Sequence, residues 1–466
     1  MNSVKQAMAR ATEKFALRIF KSPWLRHIAR EALDATGTWH QRECPLKAPF
    51  VFSLVVGLGL FRHQSQRSLL EKFLRMLRRR DPSVDLQTVS PEALYKARER
   101  LGVDALRVGF ELTTDKVRPR PWFFGYRVYA LDGTKAVLQD TAKNEAEFGR
   151  PGASRGKAAF PQALLLALVD VQSHRLRGAS IHPCRMPERD ASLGLLPLLG
   201  KRDLLLLDRG YAAGWYLYEL DQREIPFVVR CPSHWTFERI TQLKDGSWLV
   251  AKSGGAPQSK ALKDTWEGPR TFRNVLRMIE YTVGDSPEVR ILTNVLDPDH
   301  LPASELAELY AQRWEGELVF DEIKNHLATV THGSLRTLFR SKSPEGVRQE
   351  AYGLFLAYNL VREAMLQAAR RRGIHPLDLS FVGSLECIRE ALPFIHAAPA
   401  SRRKGLLKQL FSDIASQRIL RPRRPVSTPR KKKRKMENFG VKRDHHKAVP
   451  RSRELRILAD PEPLCA

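Results

Sequence analysis

The sequence lacks the features of a secreted, disulfide-bonded or membrane-spanning protein. Its 466 residues include five cysteines, an odd number, and these lie far apart without a CxxC pair, so neither a disulfide framework nor a zinc site is expected. The longest apolar run, 50–61, has 12 residues and is too short to cross a bilayer. The N-terminus has no apolar signal-peptide core. These absences predict a cytoplasmic protein with reduced thiols and no membrane partner.

Acidic residues are too few to balance the basic ones. The chain has 78 Lys and Arg against 51 Asp and Glu, a net charge of +27. Residues 1–120 carry 23 basic and 12 acidic side chains, net +11, and residues 401–466 carry 20 and 6, net +14, which leaves +2 for the middle. A near-neutral body between two basic ends predicts binding to a polyanion. Nucleic acid is the expected one, because a membrane surface usually requires an amphipathic or lipidated anchor as well.

The first 115 residues are predicted to be helical. Apolar residues recur at three- and four-residue spacing in 15–33, 50–61 and 69–77, and Ser90 followed by Pro91 is typical of a helix start. A basic helical module of this kind could lie along DNA. The alternative is a solvated helix face with arginines at its C-terminal end, and the pattern alone leaves both open.

The pattern changes to strands from residue 126. Strands are predicted at 126–131, 163–171, 177–182, 203–207, 227–230 and 289–295, and helices at 191–199 and 212–222. Three strands, helix, strand, helix and strand predict an α/β core with a mixed sheet. Residues 232–285 are predicted to form a β-rich insertion. Its tryptophans, Trp235, Trp248 and Trp266, are expected to pack internally, although an exposed one could stack on an unpaired base.

The most informative pattern lies in residues 301–327, which are predicted to form one long helix capped by Ser304. At about 100° per residue, four polar residues fall within an arc of roughly 60°; they are Tyr310, Arg313, Glu317 and Lys324. Burying such a set would be costly, so the stripe is not expected in a core. Asp321 shares the arc. A solvated face with ion pairs is the other interpretation, and the helix alone does not exclude it.

Two further carboxylates favour a catalytic interpretation. Asp132 follows the first predicted strand and Asp208 follows the strand of four leucines, so both are expected at strand ends beside Glu317. Three carboxylates can bind two divalent metal ions, which activate an attacking hydroxyl and stabilise the leaving oxygen of a phosphodiester. Oxygen ligands suit Mg²⁺. Asp321 is the other candidate for the third ligand; the longer side chain of Glu317 reaches further from the helix, and the family spacing described next also favours Glu317.

The spacing Tyr310-x2-Arg313-x3-Glu317-x6-Lys324 resembles the YREK signature of the insertion-sequence-four type of DDE transposases. The sequences around Asp132 and Asp208 are similar to the first and second catalytic blocks of that family, and the similarity extends over residues 25–440. Tyr211 departs from the family, which often has Phe there.

The resemblance implies an α/β fold with a ribonuclease-H-like catalytic core, a β-rich insertion, a helical N-terminal domain and a basic C-terminal segment. The implied domains are a helical DNA-binding domain at 1–118, a catalytic core at 119–231 and 286–370, the insertion at 232–285, and a helical and basic DNA-binding region at 371–466. In the last, 405–420 is predicted to be a helix and 421–435 an extended basic tail that binds DNA nonspecifically.

The resemblance also implies the activity. Asp132, Asp208 and Glu317 would be the catalytic metal ligands, holding two Mg²⁺ ions that Mn²⁺ could replace. Tyr310, Arg313 and Lys324 would contact DNA phosphates, a role that suits two cations and a hydroxyl donor.

The implied substrate is double-stranded DNA, both transposon ends and target, cleaved and joined by a homodimer in the bacterial cytoplasm in association with the nucleoid. Some relatives form a hairpin intermediate and flip a base onto an aromatic residue of the insertion. Two alternatives remain: a catalytically inactive DNA-binding regulator derived from a transposase, and a metal-dependent nuclease without strand transfer.

Overall fold

The computed structural model describes residues 2–13, 15, 24–39, 44–79, 81–82, 84, 89–115, 119–153, 156–284, 288–327, 339–419, 426–427, 449–450 and 455–457. No helix within these ranges is long and apolar enough to cross a membrane. The predicted basic tail at 421–435 lies outside them, except for residues 426–427.

The N-terminal region is helical, as predicted. Its helices are α1 (Asn2–Glu13), α2 (Trp24–Thr36), α3 (Ala48–Leu60), α4 (Gln66–Arg78), α5 (Pro91–Leu101) and α6 (Asp104–Asp115). The apolar run forms α3, which is buried along its whole length. Ser90 caps α5 by accepting a hydrogen bond from the amide of Ala93 at 3.2 Å, the role its sequence context predicts.

A mixed sheet forms the centre of the molecule. The strands and α-helices of residues 127–293, which include this sheet, are β1 (Arg127–Val137), α7 (Ala142–Phe148), β2 (Gly152–Ala153), β3 (Gly156–Lys157), β4 (Gln162–Asp170), β5 (Leu176–Pro183), α8 (Glu188–Ser192), β6 (Asp203–Leu207), α9 (Gly214–Gln222), β7 (Phe227–Arg230), β8 (Glu238–Gln242), β9 (Trp248–Gly255), α10 (Lys260–Lys263), β10 (Thr271–Val283) and β11 (Val289–Thr293). Every core strand predicted from the sequence is present.

The strand order identifies the fold. The sheet runs β5-β4-β1-β6-β7-β11-β10-β9-β8, while β2 and β3 pair separately. β4 lies antiparallel to β1 and to β5, whereas β6 and β7 run parallel to β1 and β6 respectively. Three antiparallel strands continued by two parallel ones form a ribonuclease-H-like core. The segment predicted as a β-rich insertion supplies β8, β9 and β10, which extend the same sheet through β11.

The structure corrects the predicted end of β1. The sequence predicts that the first strand ends at residue 131, because Asp132-Gly133 is a turn signal. Instead β1 continues to Val137, and Asp132 pairs with Ala167 of β4. Pairing along the whole of β4 therefore overrides the local turn preference.

The segment that carries the YREK pattern, residues 303–326 and here called the signature segment, is helical throughout but not one regular helix. It comprises α11 (Ala303–Tyr310), a 3-10 turn (Ala311–Arg313), α12 (Trp314–Asp321) and a π turn (Glu322–His326). Pro302, without a side-chain hydrogen bond, occupies the N-cap position, so the prediction that Ser304 caps the helix is wrong.

The remaining helices complete a layer against the sheet. They are α13 (Pro344–Arg372), α14 (Phe381–Ala397) and α15 (Ala400–Ser416), followed by β12 (Val426–Ser427), β13 (Val449–Pro450) and β14 (Leu455–Ile457). The N-terminal helices, α13 to α15 and one face of β4 share a hydrophobic core. The other face of β4 belongs to a second core with α8, β6 and α9. β4, buried on both sides, anchors the two layers.

Candidate active site

Asp132 lies within β1, half-buried, at the level where the signature segment crosses the sheet. Its Oδ1 accepts a hydrogen bond from the amide of Gly133 at 2.8 Å. Burial raises the pKa of this carboxyl to about 6; the Gly133 bond opposes the rise, and the charges of Glu188, Glu317 and Asp208 add to it. Asp132 therefore shares a local field with three other carboxylates, and a nearby cation would stabilise its charged form.

Asp208 follows β6, as the sequence predicts. The leucines before it are buried on both faces of the sheet. Asp208 therefore lies at the carboxyl end of β6, beside the neighbouring strand β1. The Asp208 Oδ1 accepts a hydrogen bond from the Gly210 amide at 2.7 Å. That bond caps the 3-10 turn Arg209–Tyr211, so the turn fixes the carboxylate at the strand end.

Glu317 projects from α12, beside β1. A Cβ atom placed on Gly316 would lie 3.3 Å from Ala130 Cβ and 3.7 Å from Asp132 Cβ, so the absence of a side chain at 316 lets the helix approach the strand closely. The Arg313 guanidinium donates a hydrogen bond to Glu317 Oε1 at 2.9 Å. The Glu317 side chain is 43% exposed to solvent. The catalytic candidate is thus both near Asp132 and accessible.

The three predicted phosphate-binding residues have different environments. Tyr310 is buried, and its hydroxyl donates to the carbonyl of Leu207 at 3.1 Å; burial also raises its pKa. The expectation that the whole stripe avoids the core is therefore wrong for Tyr310, whose one polar atom has a backbone partner.

The two cations of the stripe stay near the carboxylates. Arg313 pairs with Glu317, and its Cζ lies 4.8 Å from the centroid of the exposed Trp314 ring. Lys324 donates to the hydroxyl of Thr134; burial lowers its pKa, and Asp132 opposes that shift. The structure thus places the predicted carboxylates and cations in one region.

These residues fit a divalent metal ion by their donor chemistry. Hard cations such as Mg²⁺ prefer carboxylate oxygens, and the pKa of Asp132 is raised first by burial and then by the neighbouring carboxylates. Within the described part of the chain, no group of three or more His, Cys, Asp or Glu side chains is placed so that it could hold a metal ion. Glu317 is bonded to Arg313 and would have to exchange that partner for a metal.

Sequence reasoning missed two residues of this region. Glu188, at the start of α8, is the carboxylate with the largest effect on Asp132, and no pattern around it in the sequence marks it. Trp314 is 55% exposed and lies next to Arg313. By contrast Trp235, Trp248 and Trp266 are partly buried and pack against the second core, as expected of packing residues.

A ribonuclease-H-like sheet with carboxylates on β1, after β6 and on a crossing helix defines a class of enzymes that cut and join phosphodiesters. A family model described as "Transposase DDE domain" matches residues 123–360, and one described as "Insertion element 4 transposase N-terminal" matches residues 20–111. The chain is 30% identical over 388 residues to the transposase InsG for insertion sequence element IS4 of Escherichia coli (strain K12), an alignment of 82% of this chain and 84% of that protein. The chain belongs to the IS4 family of DDE transposases.

It is accordingly a DNA-binding transposase of an insertion sequence, an enzyme with nuclease and strand-transfer activity that depends on a divalent metal. A solved piggyBac transposase synaptic complex with hairpin DNA aligns with 88% of this chain and 85% of its own, at 10% identity and a TM-score of 0.42. At that score the likeness supports no functional conclusion.

Proposed function

We propose that Asp132, Asp208 and Glu317 are the catalytic carboxylates and hold two Mg²⁺ ions, which Mn²⁺ can replace. The observation that carries this proposal is the close approach of α12 to β1, where a Cβ atom on Gly316 would lie 3.7 Å from Asp132 Cβ, because it brings the helix that carries Glu317 against the strand that carries Asp132. The charges of Glu317 and Asp208, which add to the burial-raised pKa of the Asp132 carboxyl, support it. When bound, the metal ions activate the attacking hydroxyl and stabilise the leaving oxygen.

The basic residues of the signature segment hold the DNA in this proposal. Arg313 can form paired hydrogen bonds to a phosphate, and Lys324 supplies a point charge beside Asp132. Arg313 would move from Glu317 to a phosphate as Glu317 takes up a metal. Tyr310 would contact the same backbone by exchanging its bond to Leu207 for one to a phosphate oxygen.

The proposed reaction has two steps. Water attacks the phosphorus at a transposon end, the bond to the 3′ oxygen breaks, and a free 3′-hydroxyl results. That hydroxyl then attacks a phosphorus in the target DNA, forms a new phosphodiester and releases a 3′-hydroxyl of the target. We propose that a homodimer acts, because two ends must be cut together, and that it works in the bacterial cytoplasm on nucleoid DNA.

The test uses the full chain, Mg²⁺ and a plasmid that carries the DNA flanking the gene. We expect nicks at the element's ends with 3′-hydroxyl termini, and joined products in a second plasmid. Cleavage without joining would instead indicate a nuclease, and binding without cleavage would indicate an inactive regulator.

A further inference from the structure

The connection between β4 and β5 places a histidine in the core, against the signature segment. His174 is fully buried and has a positive φ of 58°, a backbone conformation that residues other than glycine seldom adopt. Its amide donates to the carbonyl of Asp170 at 2.8 Å, and the backbone of Leu176 exchanges two hydrogen bonds with the side chain of Asn359 in α13. The chain is therefore fixed on both sides of His174, and its imidazole has a defined direction.

Both ring nitrogens of His174 have partners. Nδ1 lies 2.8 Å from Nη2 of Arg362 and 3.8 Å from Oε2 of Glu322, too far for a hydrogen bond to that carboxylate. Because a guanidinium only donates, Nδ1 is the acceptor, and the proton of the neutral ring lies on Nε2. Nε2 is 2.6 Å from Oε2 of Glu315, so the imidazole donates to Glu315 while it accepts from Arg362.

These contacts hold α12 at two points on one side. Glu315 lies in the first turn of α12, and Glu322, which directly follows the helix, is paired with Arg362. At about 100° per residue, Glu322 lies within about 20° of Glu315, whereas Glu317 lies about 200° from it. The imidazole thus links both attachments on the core side of the helix, and the catalytic candidate lies on the opposite side.

We propose that His174 is a positioning residue for the reaction, acting through α12 on Glu317. Its two hydrogen bonds set the rotation of α12 and so keep Glu317 beside Asp132. Because a 3-10 turn precedes α12 and a π turn follows it, the helix is not a regular continuation of α11, and its orientation depends on contacts with the core. The proposal rests on the proposed function, since it takes Glu317 as a catalytic carboxylate.

The experiment separates the two hydrogen bonds of the ring. His174→Gln places an amide nitrogen at the Nε2 position and keeps the donor to Glu315, whereas His174→Asn keeps only the acceptor at the Nδ1 position. Single-turnover cleavage by the full chain with Mg²⁺ is measured at saturating concentrations of a duplex that carries the DNA flanking the gene. The cleavage rate should fall by about 10- to 100-fold in His174→Asn, the effect of misplacing a reacting group, and should be largely restored in His174→Gln. Affinity for the duplex should stay unchanged in both.

A merely structural role predicts the reverse order. Asparagine adopts a positive φ more readily than glutamine does, so His174→Asn would be the better tolerated variant if the residue only shaped the turn. Circular dichroism and urea denaturation show that each variant is folded under the assay conditions.

Glu315→Ala tests the same contact from α12 and leaves the buried ring in place. It should lower the cleavage rate as much as His174→Asn does, and the double variant should lose little more, because both residues act through one hydrogen bond. Glu308→Ala makes the same truncation at an exposed position of α11 and should cleave as wild type does.

Glu317→Gln, measured alongside, separates the two proposals. If it is inactive while folded His174→Asn and Glu315→Ala both cleave at the wild-type rate, the positioning role is overturned and the proposed function stands. Equal losses in His174→Gln and His174→Asn also overturn the positioning role, because the donor to Glu315 then has no effect. If Glu317→Gln cleaves at the wild-type rate, the proposed function fails, and the positioning role, which acts through Glu317, fails with it.

Discussion

The signature segment presents two faces that contain the same kinds of charged residue in different surroundings. On the outer face, the Arg313–Glu317 pair is partly exposed. On the inner face, Glu322 is paired with Arg362, both nearly inaccessible, and Glu322 also accepts a hydrogen bond from the Tyr358 hydroxyl at 2.8 Å. The third member of this inner cluster is His174, whose Nε2 atom lies 2.6 Å from Oε2 of Glu315.

The two ion pairs have different roles: the buried Glu322–Arg362 pair holds the segment in place, whereas the Arg313–Glu317 pair contains the residues proposed to react. A buried ion pair costs desolvation and is retained only when both partners are satisfied, so the inner face fixes the helix against α13 and the β4–β5 turn. In the Arg313–Glu317 pair the Glu317 side chain is 43% exposed and that of Arg313 is 11% exposed, so this pair is more weakly held than a fully buried one and can change partners through Glu317. The same chemistry therefore anchors the segment on one side and leaves Arg313 and Glu317 available for DNA and metal on the other.

The largest expected effect is on the outer face. Glu317→Gln should reduce DNA cleavage by about a thousandfold or more, equivalent to about 4 kcal/mol of transition-state stabilisation, while binding to DNA ends and stability change little. Asp321→Asn, one turn further on, is the matched control and should remain active. Cleavage by purified variants on end-containing DNA measures both. Activity in Glu317→Gln together with its loss in Asp321→Asn would transfer the assignment to Asp321.

On the inner face, substitution of the glutamate should lower the stability of the protein. Burial would raise the Glu322 pKa, but Arg362 and His174 lower it to about 2, so the carboxylate is charged at neutral pH. Glu322→Gln leaves Arg362 buried without its counter-charge and should cost about 3 to 5 kcal/mol of unfolding free energy. Urea denaturation measures the loss, with Glu317→Gln as the comparison. A loss below about 1 kcal/mol would show that the inner cluster does not hold the helix.

The residues of the outer face could be predicted from the sequence, whereas the contacts of the inner face could not. The outer carboxylates and cations follow from spacing, and the core strands follow from apolar runs such as that of β6. The π turn of the segment was not predictable from the sequence, because Glu322 at its start is paired with the distant Arg362. Tyr310 was expected outside, but its hydroxyl has a backbone partner at Leu207 that spacing alone cannot reveal. Glu188 was missed because only the packing of α8 brings it against Gly133 of β1.

The raised Asp132 pKa makes stability depend on pH. Between its ordinary value of 3.8 and about 6, the folded metal-free chain keeps a proton that the unfolded chain releases, so unfolding free energy falls as pH rises through this range. The loss from this group is on the order of 2 to 3 kcal/mol. Asp132→Asn should flatten the dependence, measured by urea denaturation at pH 4 to 7 with chelator. An unchanged slope would show that Asp132 does not carry the shift.

The smallest expected effect is on DNA affinity, and it distinguishes the charge of Lys324 from its hydrogen bond to Thr134. Lys324→Ala removes a phosphate contact, so affinity for DNA should fall at all salt concentrations, and the salt dependence of log affinity should lose about one unit of slope. Thr134→Val removes only the hydroxyl that Lys324 donates to and should leave the slope unchanged. Lys201→Ala, before β6 and thus at the opposite end of that strand from Asp208, is the matched charge control. Fluorescence anisotropy across a salt series measures all three; equal slopes for wild type and Lys324→Ala would assign this lysine to holding β1 rather than DNA.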